Sequence, residues 1–126
     1  MSAHRLTVVY ADDDDLHRET ISELLTHHGI DVHACSDGAE VIPLCEQMNP
    51  DSVLLDLNMP GVDGLKVARQ LRRDSGDKSL RLVALTGHGT WELRKKAIDA
   101  GFDEFLTKPV PADVLIGALR PVSSGR

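Results

Sequence analysis

The chain has 126 residues, 41% of them apolar and 27% charged, enough for one ordinary domain with a core of its own. That balance excludes disorder and collagen-like repeats, and no apolar run approaches the length of a membrane span. With 14 Lys and Arg against 20 Asp and Glu, the net charge of −6 argues against a nucleic-acid or anionic-membrane surface, since both need a basic face.

Residues 6–11 (LTVVYA) read as a strand whose near-continuous apolar run suits a central parallel strand covered on both faces. After four aspartates, Ile21, Leu24, Leu25 and His28 fall at i, i+3, i+4 and i+7, one face of a helix that Gly29 terminates. Residues 30–35 form a second strand. Asp37 followed by Glu40 is a capping-box-like start for a second helix, and Pro43 inside it should kink the helix or delay its start. Residues 52–57 are the third strand, and Leu65, Ala68 and Leu71 mark a third helix closed by Gly76. A fourth strand spans 80–85, and Thr90 opens a fourth helix that ends at Gly101. Residues 102–106 make the fifth strand, and 111–120 a short fifth helix cut off by Pro121. Five strands and five helices in strict alternation predict an α/β fold, a doubly wound parallel sheet with right-handed crossovers. Residues 121–126 (PVSSGR) read as a flexible C-terminal tail.

Ligands of open α/β sheets bind outside the carboxyl ends of the strands. The polar residues gather at those ends. Asp12, Asp13, Asp14 and Asp15 follow the first strand, and Asp56 lies at the end of the third, two residues before Asn58. Thr86, Gly87 and His88 follow the fourth strand, and Lys108 the fifth. Crowded carboxylates repel unless a cation joins them, and hard oxygen donors favour Mg²⁺ or Mn²⁺. Lys108 offers a compact positive charge for a phosphate oxygen, Thr86 a hydroxyl, and the Gly87 region backbone N–H groups. Together they read as phosphoryl transfer with a carboxylate nucleophile. Taken alone, the aspartate run is ordinary for a solvated loop or a helix N-terminus. Asp56 is not ordinary, because it follows Val53, Leu54 and Leu55, where an unused carboxylate is costly.

Asp12-Asp13, Asp56 within VLLDLNMPGVDG, Thr86 within ALTGHG and Lys108-Pro109 within FLTKPV, in that order, resemble the receiver domain of bacterial two-component response regulators. The resemblance covers residues 5–120 and implies the flavodoxin-like strand order 2-1-3-4-5 in a single domain. It implies that Asp56 is the phosphoacceptor, taking a phosphoryl group from a phosphohistidine on a sensor histidine kinase or histidine phosphotransfer protein. It also implies that Asp13, Asp56 and the backbone carbonyl of Asn58 hold Mg²⁺ or Mn²⁺, with Asp12 acting mainly through water. Thr86 and Lys108 are then the groups that hold phosphoryl oxygens. Phe105 is an aromatic switch that follows Thr86, and Asn58 and His88 tune hydrolysis. The implied output surface is the face of the fourth helix, fifth strand and fifth helix, signalling to a downstream protein without nucleic-acid or membrane contact. A domain of this kind is a signalling phosphoacceptor and not an enzyme.

Gly87 replaces a more usual alanine and Phe105 a common tyrosine, which removes a hydroxyl from the switch. Among the six histidines, His4, His17 and His33 share no ligand spacing, and the adjacent His27 and His28 face different sides of a helix, so none is expected to bind metal. Trp91, Arg94, Lys95 and Lys96 read either as a docking face or as a solvated basic helix end. Cys35 and Cys45 fit neither a disulfide framework nor a zinc site and read as small buried hydrophobes. The first residues lack a basic-then-apolar signal pattern, so a cytoplasmic setting is expected. Two alternatives remain: an aspartate-nucleophile phosphatase for small phosphoesters, and a receiver-like binding module that is never phosphorylated. The phosphatase chemistry wants a second Asp where Asn58 stands.

Overall fold

Alternation along the strands decides which helices pack where. In the computed structural model, which describes residues 5–61, 63–75 and 79–120, β1 (Thr7–Ala11) sends Val9 and Ala11 to one face and Val8 and Tyr10 to the other. All four are fully buried. β2 (Asp31–Cys35), β3 (Ser52–Asp56), β4 (Arg81–Thr86) and β5 (Glu104–Thr107) complete one sheet in the order β2-β1-β3-β4-β5. Every neighbouring pair is parallel. This is the flavodoxin-like order expected from the sequence.

α1 (Asp15–His27) and α5 (Ala112–Leu119) close one face, where Leu25, Leu115 and Leu119 pack with Val8, Tyr10, Leu54, Val83 and Leu85. α2 (Val41–Met48), α3 (Gly64–Ser75) and α4 (Trp91–Ala100) close the other. There Val41, Ala68, Leu71 and Ala97 pack with Val9, Val53, Leu55, Leu82 and Ala84. Each fully buried Val or Leu contributes roughly 1.5–3 kcal/mol, so the two layers supply the main driving force for the fold. β3 is buried at all five positions, as a central strand covered on both sides must be.

Local differences from the sequence reading have physical causes. His28 does not join the packed face of α1: it is the exposed C-cap, with Nδ1 3.0 Å from the Leu24 carbonyl. Asp37 accepts from the Ala39 amide, but it opens a 3₁₀ turn (Gly38–Glu40), and Glu40 makes no side-chain cap. The α-helix therefore starts at Val41, which puts Pro43 in the first turn, where a missing N–H removes no helical bond. The start is delayed, not kinked. β5 begins at Glu104, later than expected, because the Phe102 amide donates back to the Ala97 carbonyl at the end of α4. Thr90 caps α4 and Gly101, at φ 114°, ends it, as expected. The expected stops at Gly76 and Pro121 and the tail 121–126 lie outside the described residues. Cys35 is buried and Cys45 half-buried, both free, and burial pushes their thiols up to about 11 and about 12, which keeps them inert. Among the described residues no helix is long and apolar enough to cross a membrane.

Candidate functional site

Among the described residues four polar or charged side chains are buried: Asp12, Ser52, Asp56 and Thr86. Ser52 starts β3 and its hydroxyl donates to the Leu119 carbonyl, a structural tie at the far edge of the sheet. The other three sit together at the carboxyl edge, and sheet register puts them there. Ala11 pairs with Leu55, which sets Asp12 beside Asp56; Asp56 pairs with Leu85, which sets Thr86 next; Thr86 pairs with Thr107, which brings Lys108 over the site. Lys108 Nζ lies 2.8 Å from Asp56 Oδ2 and 3.9 Å from Asp12 Oδ2. The Asn58 amide donates to Asp56 Oδ1 at 2.8 Å.

The two carboxylates differ in environment. Burial is the largest influence on both and disfavours the ionised form. At Asp12 it is outweighed by hydrogen bonds from His17, Tyr10 and the Asp14 amide and by the Lys108 charge, so its carboxyl falls below the ordinary range. At Asp56, burial and the neighbouring Asp12 charge outweigh Lys108 and the Asn58 amide, so its carboxyl rises above that range.

Thr86 and Gly87 converge on one oxygen. The Thr86 hydroxyl donates to Asn58 Oδ1 at 3.0 Å, and the Gly87 amide to the same oxygen at 2.7 Å. The His88 amide in turn donates to Thr86 Oγ1 at 3.1 Å, while the His88 side chain is exposed. Phe105 is buried in the cluster that holds Ala84, Ala97 and Phe102, on the α3–α4 side of the sheet. Trp91, 72% exposed, and Arg94, Lys95 and Lys96 lie on the open surface of α4.

Sequence reasoning missed two members of this constellation. Tyr10 donates its hydroxyl to Asp12 Oδ2 at 2.7 Å from inside the core, and His17 Nδ1 lies 2.5 Å from the same oxygen. Asp12, His17 and Asp56 each offer a donor atom within 4.8 Å of the others. Asp13, expected as a direct metal ligand, is exposed and does not join that group among the described residues. The missed signal was local. Asp14 caps α1 by accepting from the His17 amide at 3.1 Å, which turns a first-turn imidazole back toward Asp12. Searching for spacing among histidines could not find a partner that is a carboxylate.

The family model of the response regulator receiver domain matches residues 8–120. This chain belongs to that family. It is similar to the response regulator MprA of Mycobacterium sp. (strain KMS), 36% identical over 113 residues, covering 90% of this chain and 48% of MprA. The chain therefore spans about half the length of the curated relatives it matches. Among solved structures it resembles the receiver domain of the Francisella response regulator 1452, with 29% identity, a TM-score of 0.79 and coverage of 89% and 91%. The Vibrio cholerae chemotaxis protein CheY4 shares the fold at 24% identity, with a TM-score of 0.84 over 90% and 95% of the two chains.

Proposed function

We propose that this receiver domain takes a phosphoryl group onto Asp56 from a phosphohistidine on a sensor histidine kinase or histidine phosphotransfer protein. One observation carries the reading: three donors converge beside a buried carboxylate. Lys108 Nζ already holds Asp56 Oδ2, and Thr86 and Gly87 already close on a single acceptor oxygen, that of Asn58. A phosphoryl oxygen makes the same demand with more charge. In the transfer an oxygen of Asp56 attacks phosphorus, the N–P bond of the donor breaks, its imidazole leaves with the electron pair, and an acyl phosphate remains. Thr86 and Gly87 then exchange the Asn58 oxygen for a phosphoryl oxygen, and Lys108 stays with the new anion.

The donor set fits a hard divalent cation, because two buried carboxylates lie within ion-pair distance of a single lysine and offer oxygen donors. Asp12 and Asp56, with the Asn58 backbone carbonyl, would hold Mg²⁺ or Mn²⁺. Such an ion supplies neutralising charge for the carboxylates and the phosphoryl oxygens. Thr86 and Phe105 lie on the same side of the sheet, so release of Asn58 can be passed through Phe105 to α4 and the neighbouring α4–β5–α5 face, the surface for a downstream partner. Hydrolysis of the acyl phosphate resets the domain, with Asn58 and His88 flanking the approach of water. The chain acts in this reading as a phosphoacceptor and not as an enzyme with an outside substrate. The Asn58 carboxamide is not acidic enough to protonate a leaving group, which disfavours the phosphatase alternative.

Incubation with a small-molecule phosphodonor and Mg²⁺, followed by intact mass, tests the reading. A persistent single phosphoryl adduct, lost in Asp56→Asn, is the expected result. An adduct of equal extent in that variant overturns the assignment. Turnover without an adduct indicates the phosphatase, and neither adduct nor turnover the unphosphorylated module.

A further inference from the structure

We propose that His17 is a metal ligand of this receiver domain, and that its imidazole makes the pocket prefer a borderline divalent transition ion such as Co²⁺ over Mg²⁺. The inference rests on the metal-assisted reading for the pocket alone; it needs no phosphoryl transfer.

Four consecutive aspartates suggest an all-oxygen site, but the structure distributes them otherwise. Asp14 caps α1 through the His17 amide. Asp15 pairs with Arg18 NH2 at 2.7 Å, and Arg18 NH1 also reaches the Asp12 carbonyl at 2.9 Å. Asp13 is exposed. Only Asp12 faces inward toward Asp56, and the third side chain whose donor atom falls in their group is an imidazole.

The imidazole is held there from two sides. The capped first turn fixes its backbone, and Nδ1 meets Asp12 Oδ2, a carboxylate with no solvent exposure, at 2.5 Å through a shared proton. An ion that takes the Nδ1 lone pair replaces that proton, which moves to Nε2 or is released to solvent. Its side chain is 29% exposed, so an ion from solvent has a path to the ring. Tyr10 braces the same carboxylate from below, and Lys108, 3.9 Å away, is the one cationic head within ion-pair distance of both Asp12 and Asp56 among the described residues.

Donor chemistry then decides the ion. Mg²⁺ dehydrates reluctantly and takes oxygen, so a ring nitrogen adds little to its affinity. Co²⁺, Ni²⁺ and Zn²⁺ accept imidazole readily, and a mixed site of two carboxylates and one histidine suits them. His17 should therefore contribute to the binding of Co²⁺ and leave that of Mg²⁺ almost unchanged.

The test is calorimetric titration of wild type and His17→Gln with Co²⁺ alone and with Mg²⁺ alone, both at about pH 8, since metal affinity depends on pH. A loss of Co²⁺ affinity on the order of tenfold or more in the variant, with Mg²⁺ within about twofold, is expected. Proton NMR of wild type with Co²⁺ gives a second readout that needs no variant: the His17 ring protons should be strongly paramagnetically shifted. Equal losses for both ions would make His17 only a support for Asp12, and unshifted ring protons would remove it from the coordination sphere; either overturns the proposal while leaving Mg²⁺ binding intact. If wild type binds neither ion, the metal-assisted reading fails with it.

Discussion

Tyr10→Phe removes one hydroxyl from the middle of the sheet and keeps the ring. That hydroxyl donates to Asp12 Oδ2 at 2.7 Å, and both residues are fully buried. A hydrogen bond to a charged group is worth about 1.5–3 kcal/mol, and more is at stake when the acceptor is left short in the interior. His17 remains on the same oxygen at 2.5 Å, which places the expected loss in the lower part of that range, about 1.5–2 kcal/mol. For a domain of this size the loss corresponds to roughly 5–12 °C in Tm.

The sign of its pH dependence follows from Asp12. Burial opposes ionisation there, but the bonds from His17, Tyr10 and Asp14 and the Lys108 charge prevail and hold the carboxyl below the ordinary range. A carboxyl depressed by folding adds stability above its unfolded value, and that stability is lost as pH falls through the folded value. The deficit of Tyr10→Phe should thus be complete near neutrality and shrink below about pH 4. Urea denaturation followed by circular dichroism, in chelator, from acid to neutral pH, measures it. A deficit that is flat with pH would mean that lost packing, not a bond to ionised Asp12, is responsible. A deficit under about 0.5 kcal/mol at neutral pH would mean that the bond contributes nothing in solution.

Burial and the Asp12 charge hold the Asp56 carboxyl above its ordinary range, so its ionisation costs stability as pH rises through the folded value, and Asp56→Asn should melt higher than wild type in chelator at neutral pH. Thermal melts check this; a lower Tm at neutral pH, or a gain that grows in acid, would contradict it. His88→Ala, at an exposed side chain next to the Thr86 hydroxyl, should change the rate of acyl-phosphate loss several-fold without altering Mg²⁺ affinity, which decay of the intact-mass adduct would show. Gly89→Ala would put a Cβ 2.3 Å from Thr107 Oγ1, so the loop before α4 must shift; stability should fall by about 1 kcal/mol or more and recover in part in Gly89→Ala/Thr107→Ala, since only the 3.3 Å approach to the Thr107 Cβ remains.

The fold was legible because its signals are redundant. Apolar runs at Val8–Val9 and at Val53, Leu54 and Leu55 mark strands covered on both sides, and Thr90 and Gly101 bracket α4 with cap chemistry that needs no tertiary partner. Boundaries were less legible where two elements compete for one backbone group, as at Phe102, whose amide goes to the end of α4 and not to the sheet. The strand-end residues Asp12, Asp56, Thr86 and Lys108 were legible because topology alone brings strand ends together. Tyr10 and His17 were not, since a tyrosine inside an apolar strand reads as core until its hydroxyl is given a partner. Four adjacent aspartates look equivalent in sequence, yet a helix that starts at Asp15 sends one to the site, one to a cap and one to an arginine.

The opposite displacement of the two buried carboxyls supports a division of labour between them. Asp12 carries three hydrogen bonds, from Tyr10, His17 and the Asp14 amide, which fix its charge and its position. A carboxylate so bonded is a poor nucleophile, because three of its roughly four lone-pair sites are taken and its charge is dispersed over strong donors, while one site is left for a cation. Asp56 has the Asn58 amide on one oxygen and Lys108 on the other, and burial, with the repulsion of Asp12 added, holds it above the ordinary range. It therefore retains free lone pairs and gains most when its negative charge is shared with an electrophile. Where neighbouring titratable groups are pushed apart in this way, their environments assign their roles. Asp12 is suited to stay ionised and anchor a cation, and Asp56 to react. Removing the Tyr10 bond from this anchor, by Tyr10→Phe, should move the Mg²⁺ dependence of adduct formation to higher concentration while Asp56 remains the residue that carries the phosphoryl group. Adduct on Asp12 in that variant, located by peptide mapping, would show that environment alone, and not position, had kept Asp12 unreactive, and an unchanged Mg²⁺ dependence would mean that Tyr10 does not support the anchor.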